Sequence, residues 1–403
     1  MIGFAGAVVT LARGMFGVGL LAMPYMFAIS GTACGLLFLI VFAGNATIMA
    51  AVLVAAAPTA SSYESAVSGT YGWAGGALLA LNILLANVGT CAAYLLVAAG
   101  RLAAALAYWG VQGGLCQRSF LLVTCTVAVA PLTFPRRLRS TCWVSSVSFL
   151  VAASVAVAIV AASAGRSAPP PSHVSIERAI QGVPLSCYAF SAMSQVFPVY
   201  NELDARQRRP RVIGRAAGAA AILVGTVYAV TGILAAARFG PGTAPNILSN
   251  FEKSNPLLFH ALGSAFALAC LLGVPLMLFP ARRSLNFLTS VDDSTVPAAV
   301  LAAESAFLLA IAAAVAASSN SFLPILDVVG AVSAILVDAI LPGALFLHRS
   351  SVPSGACGGA MQGACAAGAR LVSPWKRWLL RASMCMMTLA GGTSLVAALR
   401  KAI

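Results

Sequence analysis

Crossing about 30 Å of hydrocarbon takes a helix of about 20 apolar residues, and runs of that length recur in this chain from Gly3 almost to its last residues. The chain is 60% hydrophobic and 8% charged, with a mean hydropathy of +0.94 over 403 residues. A bilayer, rather than a protein core, must therefore solvate most of its surface. Apolar runs bounded by turn residues or charges place eleven helices near 3–30, 33–57, 76–100, 118–135, 141–163, 176–200, 213–238, 257–279, 296–317, 322–347 and 376–399. The expected fold class is all-α integral membrane, multi-pass. The first run has no basic segment before it and no small-residue cleavage site after it, so it reads as a span rather than a signal peptide.

The formal net charge of +14 would suggest nucleic acid in a soluble protein. Here the arginines cluster in short loops beside apolar runs, which points to topology and a lipid bilayer, with no nucleic-acid partner. The basic residues near 136–139, 206–215, 282–283 and 349–381 outweigh those of the intervening loops, which predicts a cytoplasmic N-terminus and an external C-terminus. Ten cysteines and three histidines show neither CxxC pairs nor metal-ligand spacing. The cysteines read as small buried hydrophobes, and neither a metal nor a cofactor is expected. Residues 350–370, rich in Gly, Ala, Ser and Cys, read as a cytoplasmic linker. No loop is long enough for a soluble catalytic domain, and no GxxxxGK or HExxH motif is present, so no catalytic residues and no enzyme activity are expected.

Two helices carry breakers at matching places. The first has Gly14, Gly17 and Gly19 followed by Pro24, and the sixth has Pro184 and Pro198 around Ser186–Gln195. A glycine weakens a helix by roughly 1 kcal/mol against alanine, and a proline frees a carbonyl and kinks the chain. These helices open successive blocks of five, 1–163 and 176–347, the arrangement of two inverted repeats each beginning with a broken helix. Unwound backbone at membrane depth is tolerated only where it lines a cavity. There, N–H groups at the start of a half-helix suit a carboxylate and free carbonyls suit a cation or ammonium group. An amino acid offers both charges. The plainer reading is that Gly and Pro are common in membrane helices and let them pack closely; the paired positions favour the cavity.

These residues resemble the amino acid/auxin permease family. Gly17-Val-Gly19 with Met23-Pro-Tyr25 is similar to its G-x-G…L-P-Y signature. Val183 to Asp204, including Phe190, Pro198, Tyr200, Glu202 and Leu203, resembles the sixth span of its sodium-coupled neutral amino acid branch, and Val274 to Arg282 resembles its Pro…Phe-Pro-x-Arg pattern. The resemblance implies a LeuT-like fold of the APC superfamily, with eleven spans in two inverted repeats of five and broken helices one and six. It implies an amino acid substrate between the breaks, against the backbone of Gly14, Gly17, Val18 and Gly19 and the stretch Tyr188, Ala189, Phe190, Ser191. The chain also departs from the branch. Thr10 and Arg13 stand where asparagines are frequent, Leu271, Leu272 and Gly273 replace hydroxyl residues that help hold sodium, and Met193 replaces a histidine. Proton-coupled or facilitative transport is therefore favoured over sodium coupling.

Glu304, Asp327 and Asp338 fall within apolar runs, where a carboxylate is expensive and a functional role is the default. Asp327 and Asp338 are eleven residues apart, about three turns, so an α-helix puts them on one face, where they would line an H+ route. The preferred alternative is that Asp327 reaches water near a helix end while Asp338 and Glu304 pair with arginines or interface groups. Arg13, close to the chain start, reads as snorkelling to the cytoplasmic interface. Asn82 and Asn87 read as interhelical hydrogen bonders. A transporter-like amino acid sensor is the rival function. It would be marked by a long cytoplasmic tail before the first span, whereas this sequence starts at that span. For location, plasma membrane and endolysosomal or vacuolar membrane stay open.

Overall fold

The computed structural model describes residues 2–111, 113–136, 142–165, 176–252, 255–291, 296–334 and 336–351, with Met384 and Gly392 beyond them. Helix eleven, expected at 376–399, and nearly all of the expected linker at 350–370 lie outside the described residues.

Helix one is two pieces, Phe4–Met15 and Gly19–Ser30, bent by 59°. Helix two is Thr32–Ala56, helix three Tyr63–Tyr108, helix four Arg118–Val129 and helix five Cys142–Ser163. Helix six is again two pieces, Val183–Ala189 and Met193–Glu202. Helix seven is Pro210–Phe239, helix eight Pro256–Leu288 and helix nine Ala298–Ser318. Helix ten begins as Leu323–Val328, passes through π-helical stretches at Val329–Ala334 and Leu336–Ile340, and ends as Leu341–Ser351. Among the described residues, seven helices are long and apolar enough to cross a membrane alone, and the bent pair of helix one passes as an eighth.

Two helices run longer than their apolar runs. Helix three starts at Tyr63 behind a reciprocal Ser62–Ser65 cap, of the capping-box kind. It is interrupted at Gly72, whose φ of 73° lies where glycine alone is at ease. Helix eight continues past Pro280 to Leu288. Arg282, expected in a loop, is buried there and donates to the carbonyls of Thr133 (3.0 Å) and Pro135 (2.9 Å) at the end of helix four. A charge ended the apolar run without ending the helix.

The helices are apolar on both faces. Helix two buries Leu39, Phe42 and Met49 while leaving Leu37, Ile40 and Ile48 exposed, the pattern of an element set between protein and lipid. Small residues bring backbones close, as membrane packing requires: a Cβ on Gly214 of helix seven would lie 2.7 Å from that of Ala51 on helix two.

Helix eight packs mainly on helices three and five, and helix seven on helix two and both halves of helix one. The broken helices pair crosswise, Phe4–Met15 against Met193–Glu202 and Gly19–Ser30 against Val183–Ala189, so they run antiparallel with their breaks side by side. At one end Ile2 forms a parallel bridge with Leu203. It donates to the Glu202 carbonyl (2.8 Å) and accepts from the Asp204 N–H (3.2 Å).

Candidate functional site between the two broken helices

The first half of helix one ends at Met15, and Phe16 is extended at φ −97°, ψ 102° before the chain resumes at Gly19. The groups released there find partners on helix seven and on helix one itself. The Tyr228 hydroxyl of helix seven donates to the Met15 carbonyl (2.8 Å) and lies 3.5 Å from the Gly17 N–H, which donates to it. The Phe16 carbonyl accepts from the Arg13 guanidinium. Helix six breaks at Phe190–Ala192, with Ala192 at φ −142°, ψ 11°. Here the Met193 N–H, at the start of the second half-helix, donates to Asp338 Oδ1 of helix ten (3.2 Å). A half-helix start is a natural seat for an anion, and a carboxylate of the protein occupies this one. Ser191 is a further polar neighbour.

Aromatic side chains pack between the breaks. Phe16 stacks on Tyr228 at 5.5 Å between centroids, and Phe190 meets Tyr228 edge-on at 6.4 Å. A Cβ on Gly19 would lie 3.3 Å from the Tyr228 hydroxyl and 3.6 Å from the Tyr188 ring. One on Gly17 would lie 2.9 Å from Tyr94 Cζ. Glycine is required at 17 by this close approach.

Of the residues predicted from sequence, Gly17, Gly19, Tyr188 and Phe190 come together around Tyr228, and Val18 and Ala189 are buried beside them in the chain. Gly14 lies against the Gln195 side chain in the second half of helix six. Ser191 faces Asp338. Asp327 is buried on helix ten, but the regular α-helical register that put it on one face with Asp338 does not hold, because the turns between them are π-helical. Glu304 is half-buried on helix nine, whose main neighbours are helices three, four and eight.

Three expectations are corrected. Arg13 does not snorkel: it is 1% exposed and bonded into the interior. Asp338 caps a backbone N–H, and among the described residues no arginine pairs with it. Asn87 donates to Ile83 of its own helix (2.8 Å), not across helices. Sequence reasoning also missed Tyr94, Gln195 and Tyr228. Tyr94 and Tyr228 are polar tips in apolar helices, and that was the available signal for them; Gln195 lies in a half-helix with other polar residues and carries none.

Comparison with known proteins agrees with this architecture. A family described as "Transmembrane amino acid transporter protein" matches residues 2–354. "Amino acid transporter AVT6A" of Arabidopsis thaliana is 27% identical over 313 residues, 70% of this chain and 67% of that protein. Human "Solute carrier family 38 member 10" is 25% identical over 295 residues; the match takes 70% of this chain but only 26% of that longer protein. Among solved structures, the Eremococcus coleocola manganese transporter superposes with a TM-score of 0.65 at 14% identity, over 98% of this chain and 86% of that one. MhsT in complex with L-phenylalanine gives 0.64 at 12% identity over 98% of both chains. At such identities the likeness establishes the fold, which is LeuT-like.

Proposed function

The chain belongs to the transmembrane amino acid transporter family, and on that premise we propose that it carries amino acids across a membrane by alternating access at the paired breaks. Residues 1–163 and 176–347 act as the two inverted repeats, with the N-terminus in the cytoplasm. The membrane is the plasma membrane or an endolysosomal or vacuolar one. Helices one, two, six and seven rock against the others, flexing at Gly17–Gly19 and Tyr188–Ser191. The observation that carries this reading is the crosswise pairing of helices one and six, which sets two interrupted backbones side by side.

The substrate carboxylate lies at the start of the second half of helix one, over Gly17, Val18 and Gly19, where the first N–H groups of a helix lack intrahelical partners. Its ammonium group turns toward the polar atoms of helix six. Gln195 Oε1 is buried there without a hydrogen-bond partner among the described residues, and a bound donor would satisfy it. The Gly14 backbone and Tyr188 to Ser191 complete the wall. Coupling is to H+ or absent, rather than to sodium, and Asp338 is the carboxylate placed to take up the proton. Its charge caps helix six at the break, so protonation weakens that cap just where the helix must flex. Asp327 and Glu304 are the remaining carboxylate candidates for the proton path.

The test is counterflow in proteoliposomes with a panel of radiolabelled amino acids, with and without sodium or a pH gradient. Exchange of at least one free amino acid, but not of its methyl ester or N-acetyl form, and indifferent to sodium, is expected. No exchange with any member of the panel would refute the reading.

A further inference from the structure

A buried charge is ordinarily paired with an opposite one. Arg13, 1% exposed, is surrounded instead by neutral oxygens. Its Nε donates to Ser148 Oγ of helix five at 2.7 Å, and its terminal nitrogens donate to the Ala269 carbonyl of helix eight at 3.0 Å, the Tyr94 hydroxyl of helix three at 3.3 Å and the Phe16 carbonyl at the break of helix one. The guanidinium carbon also lies 5.4 Å from the centre of the Tyr94 ring, within cation–π range. Ser148 spends its own proton on the Ala269 carbonyl (2.6 Å), so it turns a lone pair to the arginine. Helix eight yields the space: a Cβ on Gly273 would lie 2.8 Å from the guanidinium carbon.

Carbonyl and hydroxyl oxygens converging from several helices are the donor set a hard cation seeks. We propose that Arg13 is a resident cation. Its guanidinium permanently fills an oxygen-lined site between helices one, three, five and eight, and it ties the break of helix one to helix eight without an ion from solution. This deepens the proposed transport reading, on which its functional half rests. Arg13 acts as a positioning residue for the break.

Three substitutions separate charge from volume. Arg13→Lys keeps the charge, Arg13→Met keeps much of the volume but plugs the site with a neutral chain, and Arg13→Ala empties it. Each is purified in detergent and in proteoliposomes, with choline, sodium or guanidinium chloride as the salt. Thermal stability is read alongside counterflow. Wild type and Arg13→Lys are expected to be indifferent to the salt. Arg13→Ala is expected to lose at least about tenfold in exchange rate in choline, equivalent to about 1.4 kcal/mol, and to regain both rate and melting temperature in guanidinium or sodium. Arg13→Met is expected to lose as much and to regain nothing.

Packing alone predicts the opposite order, with Met tolerated best. Met outperforming Lys in stability overturns the proposal even if the alanine variant does not fold. So does an alanine variant that folds yet ignores every cation. The stability readout needs no substrate. Failure of wild-type counterflow with all amino acids would therefore defeat the transport reading while leaving the cation-dependent melting to judge Arg13 separately.

Discussion

Replacing Gly17 by alanine adds a single methyl group at the break of helix one. Its φ is not in the positive region, so the backbone accepts alanine and the whole effect is steric. The new Cβ would lie 2.9 Å from Tyr94 Cζ and 3.0 Å from Cε1, and nearer still to the hydroxyl. Tyr94 is 1% exposed and carries the Arg13 guanidinium on its hydroxyl and ring, so the ring has little room to retreat. Forcing a methyl into a packed interior costs about 1–3 kcal/mol. At about 1.4 kcal/mol per factor of ten, that is roughly a fivefold to 150-fold penalty on the conformation that holds Tyr94 here. Initial exchange rates in proteoliposomes, normalised to monodisperse protein, should fall within that range. Gly44→Ala is the matched control. A Cβ there meets nothing within 4 Å, and in a helix alanine is favoured by up to about 1 kcal/mol, so that variant should be as active and at least as stable as wild type. Wild-type exchange by Gly17→Ala, or equal damage from Gly44→Ala, would refute the assignment of this break as the moving part.

Two further substitutions probe helix ten. Asp338→Asn keeps an oxygen for the Met193 N–H but removes the charge, so uptake driven by an inward pH gradient should fall to the rate seen without one. Persistence of the gradient response would exclude Asp338 as the coupling carboxylate. Gly330→Ala would drive a Cβ onto the Pro184 carbonyl group, whose carbon would lie 3.0 Å away. Because that neighbour is backbone, thermal unfolding in detergent should show a loss of about 1–3 kcal/mol; an unchanged melting temperature would show that helices six and ten are not held at this point.

The break of helix one was readable because glycines at 14, 17 and 19 cannot be explained by helix propensity. Helix six was expected to break because of its prolines, which do not sit at the break. Pro184 sits in the first turn of the half-helix Val183–Ala189 and Pro198 inside Met193–Glu202, so they bracket the break at Phe190–Ala192 rather than make it. A first-turn proline loses no hydrogen bond. Arg13 was misread because sequence distance from the chain start does not measure depth in a folded bundle. Its partners Ser148 and Ala269 lie 135 and 256 residues away, and no local pattern announces them. The same holds for Tyr228, whose role depends on helix seven lying against both halves of helix one. Asp338 was found as a charge out of place, but the π-helical turns before it leave no periodicity to read.

The Tyr228 phenol already occupies both edges of the gap in helix one, as donor on one side and acceptor on the other. On the proposed reading, a solute arriving at Gly17 meets an N–H that already has a partner, and its affinity there is the difference between what it offers and what the phenol gives up. Selectivity at such a break is then competitive from within. On that reading, a molecule lacking either polarity leaves the tyrosine in place.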